Sequence, residues 1–407
     1  MKNMRKRNGC SLAVFSALMV ATLVMLVWIF VPRLVEYVPT VTQPPTQPPV
    51  TQPVELSRAG SFRFHYSQLT PTEQLAYRTI LEQLAGFPES IPLENMDADG
   101  VRAVFRALML DQPMLFQISS TNYSIQTLNG RVTAFVPEYR LTREEYLQRV
   151  EAVSALAQSI PLPYGGSDFD ILLALHDFLV HNCTYSDDLA DGDIATVYGA
   201  LIQGYASCEG YSKAILLLLE LNGIDAYIVT GYATSADFAG PHAWNKVRLY
   251  GNWYYLDATW NDPVMEGGNE IVSRAFFNLT ATDLAHSHEL SDDGNHAVST
   301  AQNYFRVHGL YFDEINQEAE TLLAQALLQA LDAERGVLEL RMTSAAALER
   351  AIDVLFGRQQ RVHRIIAAAD PNGERLQTDR VYFSTMEQLN IIRIFPVLHP
   401  PAEAPDE

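Results

Sequence analysis

The sequence contains few cysteines and few basic residues for its length, and both shortages exclude classes of protein. Cys10, Cys183 and Cys208 are the only cysteines in 407 residues, too few for a disulfide framework. Acidic residues outnumber basic ones by 48 to 28, which gives a formal net charge of −20. A chain with this balance repels phosphates, so nucleic acid is not an expected partner. We find no internal repeat.

The charge is unevenly distributed along the chain. The first 33 residues carry five basic residues and no acid, a charge of +5, which leaves −25 for the remainder. Cys10 to Val31 is a run of 22 residues without a charge, long enough to cross a hydrocarbon core of about 30 Å. We expect a cytoplasmic basic segment at 1–11, a transmembrane signal anchor at 12–31 and an extracytoplasmic body. A cleaved signal peptide is the less favoured alternative, because its apolar region is shorter and ends at small residues.

The anchor is followed by a linker at 32–60. Residues 39–53 read PTVTQPPTQPPVTQP, a composition typical of an extended, semi-rigid spacer. The apolar and turn patterns then divide the body into further units. These are an N-terminal α/β unit at 61–160, a central unit at 161–315, a C-terminal α+β unit at 316–398 and a disordered tail at 399–407.

Local signals within the body predict an α+β fold. Asn129-Gly130 between two alternating runs predicts a hairpin, and Thr142 with Glu145 predicts a capping box at a helix start. In the central unit, Ser207–Leu221 is so apolar that it predicts a helix buried on nearly all sides. Strand-like runs follow this helix at 226–231, 243–250 and 253–259, and the order of a buried helix before antiparallel strands is typical of α+β proteins.

Cys208 lies at the start of that buried helix. Ser207 is a suitable N-cap, so Cys208 falls in the first turn, where unpaired N–H groups and the helix dipole favour a thiolate. Gly204 and Gly210 leave room for another backbone to approach. Since free thiols outside the cytoplasm are exposed to oxidation, a retained cysteine suggests chemistry. We interpret Cys183 as a buried apolar residue, with a disulfide to Cys208 as the alternative that would silence the site.

A thiolate nucleophile needs a base, and His242 and Asp257 are the candidates. If the strands around them turn at Tyr250–Gly251, the two side chains become diagonal neighbours on one face, with backbones about 7–8 Å apart. A turn at Gly251-Asn252 would instead separate them by roughly 13 Å of strand. A Cys208–His242–Asp257 triad therefore requires the first register.

These residues resemble the bacterial transglutaminase-like domain of the papain-like cysteine-enzyme superfamily, as in cytokinesis-type proteins. The resemblance covers about 165–310, is weaker over 61–160 and is not seen from 320 onwards. It is carried by YGAL at 198–201, CEGY at 208–211, GPHAWN at 240–245 and WYYLDATWNDP at 253–263. The resemblance implies a triad of Cys208, His242 and Asp257, and a core in which a cysteine-bearing helix packs on an antiparallel sheet that carries the histidine and the aspartate.

Other polar and aromatic residues are weaker candidates. Gln203 precedes the nucleophile by five residues and is a candidate oxyanion donor, with a solvent-facing glutamine as the alternative. Tyr205 and Trp244 are candidates for the pocket wall, with packing in the core as the more common alternative for such aromatics. His286, His288 and His296 could form a metal cluster, but their spacing fits no zinc pattern well. We therefore predict neither a metal nor a cofactor.

The expected activity is acyl transfer from a peptide or glutamine amide through a thioester, with release to water or to an amine. The expected substrates are proteins or peptides, with cell-wall peptides among them because of the predicted topology. The alternative is a scaffold or peptide-binding module that keeps the fold without turnover. The intact set of three residues favours the enzyme.

Overall fold

The computed structural model describes residues 62–188, 192–236, 238–262, 271–290, 293–333 and 335–399. The predicted N-terminal segment, membrane anchor and linker lie outside these residues, as does the tail from 400 onwards. Within the described ranges, no helix is both long and apolar enough to cross a membrane.

The N-terminal unit is a three-stranded antiparallel sheet with helices around it. Its helices are α1 (Phe64–Ser67), α2 (Pro71–Leu84), α3 (Ala98–Asp111) and α4 (Arg143–Ser159), and its strands are β1 (Ile91–Met96), β2 (Ile118–Leu128) and β3 (Arg131–Tyr139). The strand order is β1-β3-β2. The predicted hairpin is confirmed, because Leu128 pairs with Arg131 and both Asn129 and Gly130 have positive φ. Strand β1 had no clear sequence signal.

The predicted capping box is also confirmed. The Thr142 hydroxyl accepts from the Glu145 N–H, while the Glu145 carboxylate accepts from the Thr142 N–H at 2.8 Å. Helix α4 therefore begins where its sequence indicates.

The central unit places one buried helix against a second antiparallel sheet. Its helices are α5 (Asp168–Asn182), α6 (Cys208–Leu221), α7 (Ala281–Leu284) and α8 (Tyr304–Val307), and its strands are β4 (Thr184–Tyr185), β5 (Tyr205–Ala206), β6 (Ala226–Thr234), β7 (Ala239–Leu249) and β8 (Asn252–Leu256). Strands β6, β7 and β8 form the sheet in that order. Eleven consecutive residues of α6, from Gly210 to Glu220, are buried. This is the α+β arrangement that the apolar pattern predicts.

The register of β7 and β8 is the one that brings His242 near Asp257. Asn245 pairs with Leu256, and Leu249 pairs with Asn252. The two turn residues, Tyr250 and Gly251, have φ of 49° and 81°, as a tight hairpin turn of type I′ requires. The predicted turn at Tyr250–Gly251 is confirmed.

The C-terminal unit forms a third sheet covered by helices. Its elements are β9 (Tyr311–Phe312), α9 (Gln317–Asp332), β10 (Leu338–Met342), α10 (Ala345–Phe356), α11 (Arg361–Ala369), β11 (Leu376–Met386) and β12 (Ile391–Leu398), and the strand order is β11-β12-β10-β9. One continuous cluster of buried apolar side chains includes residues of both the central and the C-terminal units, whereas most of the N-terminal unit has its own cluster. The C-terminal unit therefore packs into the same core as the helix that carries Cys208.

Candidate active site

Cys208 begins α6 and is half-buried. Ser207 precedes it in extended conformation, and its carbonyl accepts the N–H of Tyr211 at 3.0 Å, as an N-cap residue should. Its hydroxyl instead points to the carbonyl of Ile194 at 3.3 Å and makes no hydrogen bond to the N–H groups of α6. Ser207 thus occupies the N-cap position that the sequence predicts, but its side chain does not cap the helix. The N–H groups beside Cys208 are left available to a developing oxyanion.

Gly210 allows the preceding loop to cross close to the start of α6. A Cβ on Gly210 would overlap the carbonyl oxygen of Ile194 and would lie 2.7 Å from the Cβ of Ala206. The same Ile194 carbonyl accepts the N–H of Ser207 at 2.9 Å. The backbone approach expected at Gly210 is therefore real, and it fixes the first turn of α6.

His242 and Asp257 are in direct contact beside this turn. His242 lies on β7, and Asp257 follows the last residue of β8. His242 Nε2 is 2.8 Å from Asp257 Oδ2, and both residues are buried, at 5 % and 1 % exposure. The Cys208 side chain also acts on the imidazole, since it contributes to raising the pKa of His242, and Nδ1 is the ring nitrogen that Asp257 leaves free to face it. The structure thus brings together the three residues that the sequence singled out.

The electrostatics of the pair favour an imidazolium and a carboxylate. Burial alone would lower the pKa of His242, but the charge and hydrogen bond of Asp257 and the contact with Cys208 outweigh burial and raise this pKa to about 10. Burial likewise works to raise the pKa of Asp257, yet its contacts with His242 and His288 hold it well below its ordinary value. The proton of the pair therefore resides on His242, where it can be given to a leaving group.

His288 is a further partner of Asp257 that the sequence did not indicate. Its Nε2 lies 3.1 Å from Asp257 Oδ2, and its Nδ1 lies 2.8 Å from the Ser287 hydroxyl. His288 is buried, whereas the other two members of the suggested histidine cluster, His286 and His296, are exposed. The ligand atoms of His242, Asp257 and His288 lie within 4.8 Å of one another, so these three could hold a metal ion.

Asp257 is satisfied on both carboxylate oxygens, because Oδ1 accepts the N–H of Trp260 at 3.1 Å. The loop beyond it is held by Asn261, which is fully buried. Its N–H donates to the Asp257 carbonyl at 3.2 Å, and its side-chain oxygen accepts the N–H of Phe276 at 2.8 Å. Its Nδ2 donates to Nε2 of His176 at 3.0 Å. This buried network fixes the carboxylate relative to His242.

The aromatic surroundings differ in part from expectation. Trp244 is 1 % exposed and stacks behind His242 with ring centroids 5.9 Å apart, so it supports the histidine and does not line an open pocket. Trp260 is half-buried, with its ring 5.5 Å from that of His242. Tyr185 lies near Cys208 and is 37 % exposed; burial and the nearby Cys208 raise its pKa. Trp260 and Tyr185 are better candidates for the pocket wall. Trp260 could have been suggested from the sequence, because it is an aromatic residue three positions after Asp257.

The two remaining candidates lie just upstream of Cys208. Gln203 is exposed at the end of a π-helical turn (Gly199–Gln203), and Tyr205 is half-buried on β5. Gly204 joins them with φ of 78°. An oxyanion role for Gln203 and a wall role for Tyr205 stay predictions.

Cys183 and Cys208 are both free in the structure, so the alternative of a disulfide between them is not realised. Cys183 is buried, and burial raises the pKa of its thiol to about 12. This is the inert, apolar cysteine that the sequence favoured.

Comparison with known proteins finds a family model that matches part of this chain. Residues 156–258 match the model of the transglutaminase-like superfamily, a range that contains Cys208, His242 and Asp257. The chain carries a transglutaminase-like domain. Among curated relatives, the human kyphoscoliosis peptidase is 26 % identical over 134 residues, which are 30 % of this chain and 20 % of that protein.

Solved structures similar to the transglutaminase-like domain cover similar shares. The crystal structure of a TGase is 17 % identical and covers 40 % of this chain and 48 % of its own, with a TM-score of 0.25. The periplasmic domain of TgpA from Pseudomonas aeruginosa is 15 % identical and covers 34 % of this chain and 61 % of its own, with a TM-score of 0.20. The chain thus spans about a fifth of the curated relative and 48 % and 61 % of these two chains. The TM-scores are too low to support a structural argument.

Proposed function

We propose that this protein is a membrane-anchored, extracytoplasmic cysteine acyltransferase that cleaves peptide or glutamine amide bonds through a thioester. The observation that carries this proposal is the buried hydrogen bond of 2.8 Å between His242 and Asp257, together with the contact of the same imidazole with Cys208. A buried histidine paired in this way is a costly arrangement for a purely structural core, because two groups that can ionise are removed from water.

The first chemical step forms the thioester. The Cys208 thiolate attacks the carbonyl carbon of the amide, and the oxygen takes the negative charge beside the uncapped N–H groups at the start of α6. His242 donates its Nδ1 proton to the leaving nitrogen as the C–N bond breaks. Ammonia or an amine leaves, and the imidazole becomes neutral.

The second step releases the acyl group. Neutral His242 takes a proton from water or from a primary amine as that nucleophile attacks the thioester. The C–S bond breaks, and Cys208 leaves as a thiolate beside the regenerated imidazolium. Water gives a hydrolase, and a lysine amine gives a cross-linking enzyme.

Location and substrate class rest on the N-terminal sequence. The charge-free run at 10–31 after four basic residues supports a signal anchor, and the Pro-rich spacer supports a body held away from the bilayer. The substrates we propose are proteins or peptides at the cell surface, including cell-wall peptides. A catalytically silent scaffold or peptide-binding module at the cell surface is the second candidate.

Labelling with a thiol-directed glutamine mimetic tests the proposal. The full-length protein in detergent is treated with the probe, and the labelled peptide is identified by mass spectrometry. We expect labelling of Cys208 that is abolished in Cys208→Ser and strongly slowed in His242→Gln. Cys183→Ala is the matched control and should label as the unaltered protein does.

Labelling of Cys208 at the same rate with and without His242 would favour the catalytically silent scaffold. If the enzyme is active, a glutamine peptide incubated with and without a primary amine identifies the acceptor. Ammonia release with a deamidated product indicates water, whereas an amine adduct indicates transfer.

A further inference from the structure

Asp257 Oδ2 is shared by two histidines that approach it from different elements. It lies 2.8 Å from His242 Nε2 on β7 and 3.1 Å from His288 Nε2 in the loop after α7. In the described part of the chain this is the one group of three ligand side chains close enough for a metal ion, and all three are buried. Two imidazole nitrogens and a carboxylate oxygen form a donor set that zinc sites use, with one position open.

We propose that His242, Asp257 and His288 form a binding site for a single divalent ion of the zinc type, and that the bound ion silences the enzyme. The binding itself is independent of the proposed acyl transfer. The silencing rests on that proposed function.

The side chains need only modest movement to accept such an ion. Zinc–nitrogen and zinc–oxygen distances are about 2.0–2.1 Å, so donors in a tetrahedral site lie about 3.3 Å apart. The present separations of 2.8 Å and 3.1 Å to Asp257 Oδ2 are close to that value. Since the three atoms lie within 4.8 Å of one another, the two nitrogens would approach by about 1.5 Å at most.

Outer contacts already orient two of the three ligands. The Ser287 hydroxyl lies 2.8 Å from His288 Nδ1, and the Trp260 N–H donates to Asp257 Oδ1 at 3.1 Å. Such partners fix the ring orientation of a ligating histidine and the direction of a ligating carboxylate. They leave Nε2 of His288 and Oδ2 of Asp257 directed at the shared point.

The consequence for catalysis follows from the two nitrogens of His242. A metal ion replaces the proton on Nε2 of His242, which leaves to solvent, and the ring then keeps its remaining proton on Nδ1. The Nε2 proton that His288 donates to Asp257 moves to Nδ1 of His288, where the Ser287 hydroxyl can accept it. Since Nδ1 is the nitrogen left for Cys208, the ring can no longer accept a proton there. Cys208 lies on that opposite side and is not a ligand, which separates this site from direct binding of metal to the thiolate.

Cobalt uptake by the full-length protein carrying Cys208→Ala tests the site without the nucleophile. We expect one Co²⁺ per chain, with a tetrahedral spectrum that lacks a sulfur-to-cobalt charge-transfer band. His288→Gln keeps an N–H for Asp257 but is a poor ligand, so the affinity should fall about tenfold or more. His286→Gln, on the same loop but exposed, is the matched control and should bind as before. Ca²⁺ should not compete, because it requires oxygen ligands.

X-ray absorption spectroscopy of the zinc-loaded Cys208→Ala protein identifies the ligands without a further variant. We expect two imidazole nitrogens bound to the zinc. The proposed metal site would be overturned if the protein with unaltered His288 and the His288→Gln variant bound Co²⁺ with equal affinity. It would also be overturned by a sulfur ligand in the spectrum, or by the absence of any Co²⁺ uptake. Full turnover by the zinc-loaded, otherwise unaltered enzyme would overturn the silencing. A protein that binds Co²⁺ but never turns over would contradict only the proposed function.

Discussion

Asp257 accepts hydrogen bonds from His242, His288 and the Trp260 backbone, so its carboxylate has little freedom to move. A carboxylate held in this way orients the imidazole and keeps its proton on the ring. The pKa of His242, raised to about 10, is the measurable sign of that interaction.

Asp257→Asn should change the pH profile as well as the rate. Without the carboxylate charge, the pKa of His242 falls from about 10 toward its ordinary 6.5, so the imidazolium needed to protonate the leaving group is lost at lower pH. The alkaline limb of acylation should therefore move down by several pH units, and the rate should fall roughly 10³-fold. Steady-state turnover of an amide substrate from pH 5 to 11 measures both. An alkaline limb that stays near pH 10 would contradict the assigned pairing.

His288 should act on the reaction through Asp257. His288→Leu removes one donor to a buried carboxylate and should lower kcat about tenfold or more with little change in KM. His288→Gln retains a side-chain N–H and should recover most of the rate. The measurement is kcat and KM for both variants at matched folded fractions, determined by circular dichroism. Equal losses in the two variants would indicate that the ring only fills space.

At the residue scale the sequence was sufficient to single out Cys208, His242 and Asp257, which the structure brings together, but not the groups that hold them in place. Cys208, His242 and Asp257 carry local signals: a helix start, a strand end and an acid among aromatics. His288 lies 31 residues after Asp257 in an irregular segment, and no local rule connects such positions. For Trp244 the structure favours the core alternative over the pocket wall, a choice that strand alternation cannot make, because it shows which face a residue takes and not how deeply that face is covered.

Among the elements, α6 begins at a serine whose hydroxyl turns away from the helix. Thr70, Thr142 and Ser167 each complete a capping box at their helices, whereas the Ser207 hydroxyl contacts Ile194. We infer that the first turn of α6 is left open for the substrate at some cost in helix stability.

Ser207→Ala should therefore cost little stability. Thr142→Ala removes a real cap and should lower the free energy of unfolding by about 1 kcal/mol, whereas Ser207→Ala should lower it by less than about 0.5 kcal/mol. Denaturant unfolding of the two variants side by side gives both values. A loss at Ser207 as large as that at Thr142 would mean that its hydroxyl does cap α6.

Gly210→Ala should harm both folding and activity. Alanine favours a helix over glycine by about 1 kcal/mol, but the new methyl would overlap the Ile194 carbonyl. Overpacking of this kind typically costs about 1–3 kcal/mol, so the net effect should be destabilising, with a slower reaction at Cys208. Gly86→Ala is the control, because its nearest neighbour would be at an ordinary 3.4 Å. A thermal unfolding midpoint that is unchanged or raised by Gly210→Ala would count against the crowding.

Elements with strong local signals were predicted well, and those defined by distant contacts were not. The Tyr250–Gly251 turn fixed the β7–β8 register because the choice of turn decides which side chains share a face. Strand β1 was missed because its burial is irregular and its register to β3 shifts between Pro92 and Met96. The last predicted strand is shorter than expected, since β8 ends at Leu256, where the chain turns to present Asp257.

On the scale of the whole molecule, charged contacts join the N-terminal unit to α6 and to the loop that precedes it. Arg63 pairs with Glu220 in the last turn of α6, and Arg140 and Arg149 both reach Asp193 at 2.9 Å and 2.6 Å. Asp193 directly precedes Ile194, whose carbonyl holds Ser207. The N-terminal unit therefore supports both ends of the helix that carries Cys208, which no pattern within either segment could have shown.

The burial of Glu220 should make stability depend on pH. Burial raises the pKa of Glu220 from 4.5 to about 7, although Arg63 opposes this. The folded state therefore holds a proton that the unfolded state releases between these values, and stability should fall as pH rises from 4.5 to 7. Burial also raises the pKa of Asp111 to about 6, so Asp111 likewise makes stability fall as pH rises. Asp111 is unchanged in the Glu220 variant described next.

Glu220→Gln isolates this contribution, because glutamine keeps the shape of the side chain and cannot ionise. Between pH 5 and pH 8 the unaltered protein should lose on the order of 2 kcal/mol relative to the variant. Urea unfolding at the two pH values, followed by tryptophan fluorescence, gives the difference directly. Glu82→Gln, at an exposed position of α2, is the control and should follow the unaltered protein at both pH values. Parallel pH dependence in all three proteins would mean that Glu220 is already ionised at pH 5, held by Arg63 strongly enough to offset its burial.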